Sequence, residues 1–543
     1  MTWSPEEEFR RVVEVVDSSG AVALLEEGLN GRGGSGRRLG RPRRLDVRSV
    51  LVAGILAALR GGRLDVRGMW SVFTAMRLDE LDELGLEGVP PTLSQVGHLW
   101  NRIADLCDGA ERSAGRRLDG DGETPRRTLN HRRLHVAVTE PLRVRRPSTK
   151  GTVRTLDPDE RTRRHRRLVA VSDALLAATV PTAVDASVLA VDWTDHETWA
   201  TSHTTKVASA DPDARWGRRR STGGISKGKR RTAPPGSVPD PKDWDEGKHE
   251  LYFGYIVHAA VTAASPGSPE LAVAVRVAAA NAMDVGPVVV ELTDALRDRG
   301  VEVTELLVDR GYSMRSTDKL HRPLAQRGVF LTYDYAVAQY GRHGTHLGAV
   351  LIGGEPHCPS TPVDITNRPR PNTKAAPQDW ERYWADRRRL EAYAFRRLGR
   401  ASPDLVQRYE CPAAAGRVRC ELRDAARPIP VDRDVPEIYD PPGDAPTCCT
   451  QRTFTVGFPI GAGYRQRHPQ GSRDWVLSYD RRTSVERWFS SFKYVSRAQR
   501  DSIRVLGQAR RTLMLTFAAV ATNLRHCRNW DQKTGAESPS GTD

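Results

Sequence analysis

The chain has 543 residues, with 83 Lys and Arg against 68 Asp and Glu, a net charge of +15. That length allows about three or four domains, and the basic excess makes a polyanion the expected partner. The acidic start MTWSPEEE lacks an apolar leader core, the late apolar run Leu513 to Ala521 is too short to span a bilayer, and seven cysteines make no disulfide framework, so a soluble, cytoplasmic chain is expected.

In chain order, the first thirty residues read as a helix with Phe9, Val12, Val13 and Val16 on one face. Gly31 to Arg44 is a Gly/Arg linker. Val50, Leu51, Ile55, Leu56 and Leu59 mark a second helix, and Thr92 with Gln95 is a capping-box pair opening a third through Val96, Leu99, Trp100, Ile103 and Leu106. Residues 1–180, helical and crossed by basic linkers (strongest from Arg143 to Arg167), form the expected DNA-recognition region. No sharp helix-turn-helix signature separates it from an ordinary helical domain.

The pattern then changes. Val188 to Asp192, Leu251 to Ala263 and Leu271 to Val277 predict three strands, and Asp284 to Leu296 predicts a helix. Thr304 to Asp309 is a fourth strand, followed by a helix from Ser316 and a strand over Val329 to Tyr333. The order β, β, β, α, β, α, β predicts an α/β fold with an RNase-H-like core over 181–334. Two of its strands end on carboxylates, Asp192 and Asp309, where such sheets build their sites. Ala214 to Pro235 reads as a mobile basic loop. Residues 335–473, Pro-rich with one helix over Trp380 to Leu398, read as an inserted β-rich subdomain. Residues 474–530 complete the core with a glutamate-bearing helix and a C-terminal helix, leaving 531–543 as a disordered tail.

The sharpest chemical signal is SYDRRTSVERWFSSFKYVSR. Tyr479, Arg482, Glu486 and Lys493 fall within about 60° of one another on a helix, so one face carries a phenol, a guanidinium, a carboxylate and an ammonium. A solvated face with an Arg482–Glu486 pair is the plain alternative. Rival motifs are weaker. Gly223 to Arg230 lacks the Ser/Thr of a phosphate loop, and His196-Glu197 lacks the second histidine of a zinc-protease helix. Cys411, Cys420, Cys448-Cys449 and His357-Cys358 match no recognised zinc spacing, so zinc in the insertion is not expected and their role stays open.

The pattern Tyr-x2-Arg-x3-Glu-x6-Lys is the signature of DDE transposases of the insertion-sequence 4 family, which the chain resembles at all four positions. LAVDWTD and LLVDRGY are similar to that family's two aspartate strands. The resemblance covers roughly Val188 to Tyr333 and Asp474 to Arg497. It implies that Asp192, Asp309 and Glu486 are the catalytic residues and ligate Mg²⁺ (or Mn²⁺), two ions in all. It also implies that Tyr479, Arg482 and Lys493 contact DNA, and that Trp380 and Trp384 wedge beside an extruded base, unless they only pack. The expected activity is cutting of insertion-sequence ends and joining of the freed 3′-hydroxyl to target DNA. The expected partners are double-stranded DNA and a second copy of the chain, with no membrane. A metal-dependent nuclease or resolvase on the same fold, or a catalytically idle DNA-binding repressor, are the alternatives.

Overall fold

The computed structural model describes residues 3–30, 45–110, 156–202, 209–220 and 249–535, apart from 264, 266, 283, 314, 337–338, 369, 372–373, 424–428 and 430–433. The described chain is mixed α/β. Its central sheet contains β1 (Val188–Glu197), β2 (Arg215–Arg220), β3 (His249–Thr262), β4 (Ala272–Ala279), β5 (Glu305–Val308) and β6 (Phe330–Thr332). The spatial order is β2-β3-β1-β5-β6, with β4 also on β3. β3 runs antiparallel to β1, β2 and β4, whereas β1, β5 and β6 are mutually parallel.

Both faces of this sheet are covered, as a sheet with parallel strands requires. The helix Gly286–Asp298 packs Val289, Leu292 and Leu296 with Leu189, Val191, Leu306 and Val308. On the opposite face one apolar cluster joins the sheet to the N-terminal helices and to the last helix, Gln508–Thr534. Val47–Leu59 is buried almost all round. Its Gly54 lies where an added Cβ would come within 2.4 Å of the Phe517 ring on the last helix. Arg511, fully buried on that helix, donates to His196 Nδ1 and Thr198 Oγ1 beside the end of β1 (3.1 Å each). Asp173, on Pro158–Ala177, pairs with Arg276 of β4 at 2.7 Å, buried on both sides. The helices before residue 110 therefore share their core with the sheet and the segment that carries Glu486, instead of closing a core of their own.

Several expectations change in detail. The first thirty residues form two helices, Pro5–Ser19 and Ala21–Asn30, because Gly20 turns the chain at φ 73°. The Thr92 capping box opens Leu93–Cys107 as expected. Within the basic segment 214–235, residues 215–220 form β2, paired with β3, while the rest lies outside the described residues. The linkers at 31–44 and 143–155 also lie outside them. The inserted helix is Pro377–Tyr393, and Arg396–Leu398 is a strand. The last helix continues to Thr534, past the expected start of a tail, and 536–543 lie outside the described residues.

The inserted segment is built from small pieces. It has two three-stranded sheets and one two-stranded sheet, whose longest strand, Arg342–His346, has five residues. Their apolar cluster includes Tyr409, Phe454, Val456 and three cysteines, Cys358, Cys411 and Cys448. Among the described residues no helix is long and apolar enough to cross a membrane.

Candidate active site

The parallel pairing of β1 with β5 runs from Val188 opposite Glu305 to Val191 opposite Val308. The next residue in each strand is Asp192 and Asp309. Two carboxylates therefore leave neighbouring strands at the same level. Asp192 is not at the end of its strand, as the sequence suggested, because β1 continues against β3 as far as Glu197. It stands where pairing on the β5 side stops, which frees that edge for a site. Asp309 turns the chain, its Oδ1 accepting from the Gly311 amide at 2.6 Å. A Cβ at Gly311 would approach that oxygen to 2.7 Å, so a side chain there would displace the carboxylate.

The signature stretch is one helical path with changing pitch, not the uniform helix expected. Arg473–Tyr479 is α-helical, Asp480–Arg482 tightens to a 3₁₀ turn, Thr483–Ser490 is α-helical and Ser491–Val495 widens to a π turn. Trp488 is buried on the opposite side of Thr483–Ser490 and donates to Asn523 Oδ1 at 3.0 Å, which fixes the helix against the C-terminal one. Glu486 is left exposed on the site side. Arg482 donates to it and reaches Asp192 Oδ2 at 3.6 Å. One guanidinium thus stands between a strand carboxylate and the helix carboxylate. Tyr479 stacks on Trp475 with centroids 4.7 Å apart, and Arg482 covers its ring at 5.7 Å.

The electrostatics join the three carboxylates into one field. Burial, then the charge of Asp309 and more weakly that of Glu486, raise the Asp192 carboxyl to about 6, although the Trp193 amide and Arg482 oppose the shift. Beneath them Tyr312 is fully buried, and its hydroxyl has no hydrogen-bond partner among the described residues. Burial first, then the charges of Asp192 and Asp309, push its ionisation well above the ordinary phenol range. Trp193 packs edge-on to Tyr312 at 4.9 Å and supports this floor.

Among the described residues no group of three or more His, Cys, Asp or Glu side chains is set around a ready-made metal position. The donor chemistry nevertheless fits a hard divalent cation. Burial first, then the charge of Asp309, raises Asp192, and the unpartnered Tyr312 hydroxyl feels the charge of both aspartates, so a hydrated ion would relieve both.

Of the other expected residues, Lys493 sits half-buried in the π turn, and its charge, after burial and Arg511, helps lower His196 to about 3. Trp380 and Trp384 are half-buried and stack at 6.1 Å on the inserted helix. Trp380 connects to the signature stretch through Arg370, whose guanidinium lies over both Trp380 (5.6 Å) and Trp475 (5.9 Å) and bonds Asp480. Trp384 also packs edge-on to Tyr383, with centroids 5.1 Å apart. Two residues were missed. Glu305, buried in β5, accepts from Ser478 and Thr332 at 2.6 Å each and pairs with Arg467 at 3.2 Å, anchoring the Tyr479 helix to the aspartate strand. A carboxylate inside the apolar run TELLVD was its signal, since a buried charge needs partners. Tyr312 had only its place after Asp309 to mark it. The chain matches no family model, no curated protein and no solved structure.

Proposed function

We propose that the chain is a DDE-type DNA transposase that cuts DNA ends and joins the freed 3′-hydroxyl to target DNA. The observation that carries this reading is the parallel register that sets Asp192 beside Asp309, with Glu486 brought to the same field by a helix locked at Trp488. The strand order β4-β3-β1-β5-β6, with β1, β5 and β6 parallel and β3 and β4 antiparallel pairing, supports an RNase-H-like core. Asp192, Asp309 and Glu486 would hold Mg²⁺ (or Mn²⁺), two ions on the family likeness. When bound, these supply activation of a water or 3′-hydroxyl and stabilisation of the leaving oxygen at phosphorus.

The chain's own groups do the positioning. Arg482 is poised to exchange its carboxylate partners for a phosphate, to which a planar guanidinium bonds in two places. Tyr479, held by its stack on Trp475, offers a ring face and hydroxyl beside that phosphate. Lys493 adds charge further along, and Trp380 reaches the same region through Arg370. Half-buried Trp193, packed edge-on to buried Tyr312, backs the aspartates with aromatic surface. Binding to double-stranded DNA, pairing of two copies at two ends, and a cytoplasmic, nucleoid-associated location follow from this reading.

The test uses the full chain and the DNA flanking its gene, where short inverted repeats are expected. With Mg²⁺ or Mn²⁺ it should nick at the repeat and join a pre-cut end to plasmid. Asp309→Ala and Glu486→Gln should each lose turnover by at least about a hundredfold while gel-shift binding persists. Cutting without joining would indicate the nuclease alternative. Binding with no cutting in either metal would indicate the repressor and overturn the proposal.

A further inference from the structure

Four cysteines brought from distant parts of the inserted segment line one small cavity. Cys358 follows the strand Glu355–His357, Cys411 follows Gln407–Glu410, Cys420 ends Arg419–Cys420, and Cys449 lies in the turn of helix Thr447–Thr450. The cavity they surround is about 10 Å³, enough for a single water-sized body. Cys358 and Cys411 are buried, and Cys420 and Cys449 are half-buried. All are free thiols. Cys448, next in the chain to Cys449, is fully buried but does not line the cavity; its Sγ packs near Gly348 and lies 3.9 Å from that of Cys449.

We infer that Cys358, Cys411, Cys420 and Cys449 are the four ligands of a structural zinc ion that staples the inserted segment. Two further observations point the same way. Arg423 lines the cavity, and its Nε and Nη2 are buried without a hydrogen-bond partner among the described residues. Binding Zn²⁺ with loss of four thiol protons leaves a net charge of −2 on the centre, which a guanidinium donating to thiolate sulfur would offset. Finally, strands of two to five residues give this segment little regular hydrogen bonding, the condition in which small folds depend on metal or disulfide staples.

No three of these side chains are set at a ready-made metal position, so binding an ion would require the sulfurs to move inward into the cavity. Soft thiolate donors select zinc over the hard ions suited to the carboxylates. The site is independent of the proposed activity, and its test does not read cutting.

The purified full chain, dialysed against EDTA to strip carboxylate-bound ions, should retain about one zinc per chain by elemental analysis. Cys420→Ser and Cys449→Ser should lower this to below about 0.1, whereas Cys448→Ser, Cys107→Ser and Asp309→Ala should leave it at about one. Because a ligand variant can fail to fold, the parent is also exchanged with Co²⁺, which should give the thiolate-to-cobalt charge-transfer bands of a tetrahedral four-sulfur site. Unfolded in chelator without reductant, the chain should titrate as seven thiols. Two disulfides among the four residues would lower that count to about three and overturn the inference. So would seven thiols with neither zinc nor the cobalt bands, or zinc retained in both Cys420→Ser and Cys449→Ser.

Discussion

His258 shows how far burial alone can set a side chain's behaviour. It lies opposite Trp193 in the β1–β3 pairing, is fully buried, and neither ring nitrogen has a hydrogen-bond partner among the described residues. Burial lowers it to about 4. A base whose folded value is depressed contributes stability above its unfolded value near 6.5, and that contribution is lost as pH falls toward 4. At pH 5 the loss from this ring should be on the order of 2 kcal/mol. His258→Leu should therefore unfold at similar or higher urea than the parent at pH 7.5, and gain on it between pH 7.5 and 5. Equal pH slopes for the two proteins would show that the ring is hydrated in solution. Nothing in the sequence marked this histidine, because the run YFGYIVHAAV reads only as a strand. Asp192 and Asp309 were legible, since carboxylates at the ends of apolar runs are costly unless used. Arg482 was legible as a cation on the right face, but its place between Asp192 and Glu486 depends on a register that no local pattern contains.

Elements were legible where one periodicity governed them. The Thr92–Gln95 box, the Val47–Leu59 helix and the parallel strands follow directly from their apolar spacing. β2 was not, because an arginine-rich strand at the rim of the sheet has the composition of a loop and is specified by its partner β3. The signature stretch was placed on one face correctly for Arg482 and Glu486, but its 3₁₀ and π turns come from contacts that the sequence alone does not show. One such contact is Asn523. Its side chain accepts from Trp488 Nε1 and the Ala272 amide, and donates to Ala272 O and Thr179 Oγ1. Four buried groups lose their partner when it is removed. Asn523→Ala should cost about 2–4 kcal/mol in urea unfolding, and combining it with Trp488→Phe should cost less than the two single changes added. Strict additivity would mean that the indole and the amide do not depend on each other.

At the scale of the whole molecule, the division at residue 180 suggested by composition is crossed by one apolar cluster from Phe9 through the sheet to Leu524. A chain ending at residue 505 would expose Val50, Leu51, Ile55 and the sheet face that Leu513, Phe517 and Val520 cover. It should show no cooperative thermal transition and be cut rapidly by protease, whereas a chain ending at 535 should melt like the parent. A sharp transition in the shorter chain would refute the shared core. Composition could not show this, because each helix looks equally able to pack on its sequence neighbour.

The place of that last helix bears on how the protein is made. The ribosome delivers the N-terminal helices first, then both aspartate strands, and only after these the helix whose Asn523 holds Trp488 and, two residues from it, Glu486. A chain that stops before Asn523 lacks the side chain that ties Trp488 to β4, and with it the tie that sets Glu486 beside the two aspartates. The juxtaposition of Asp192, Asp309 and Glu486 thus waits on a residue synthesised after all three of them.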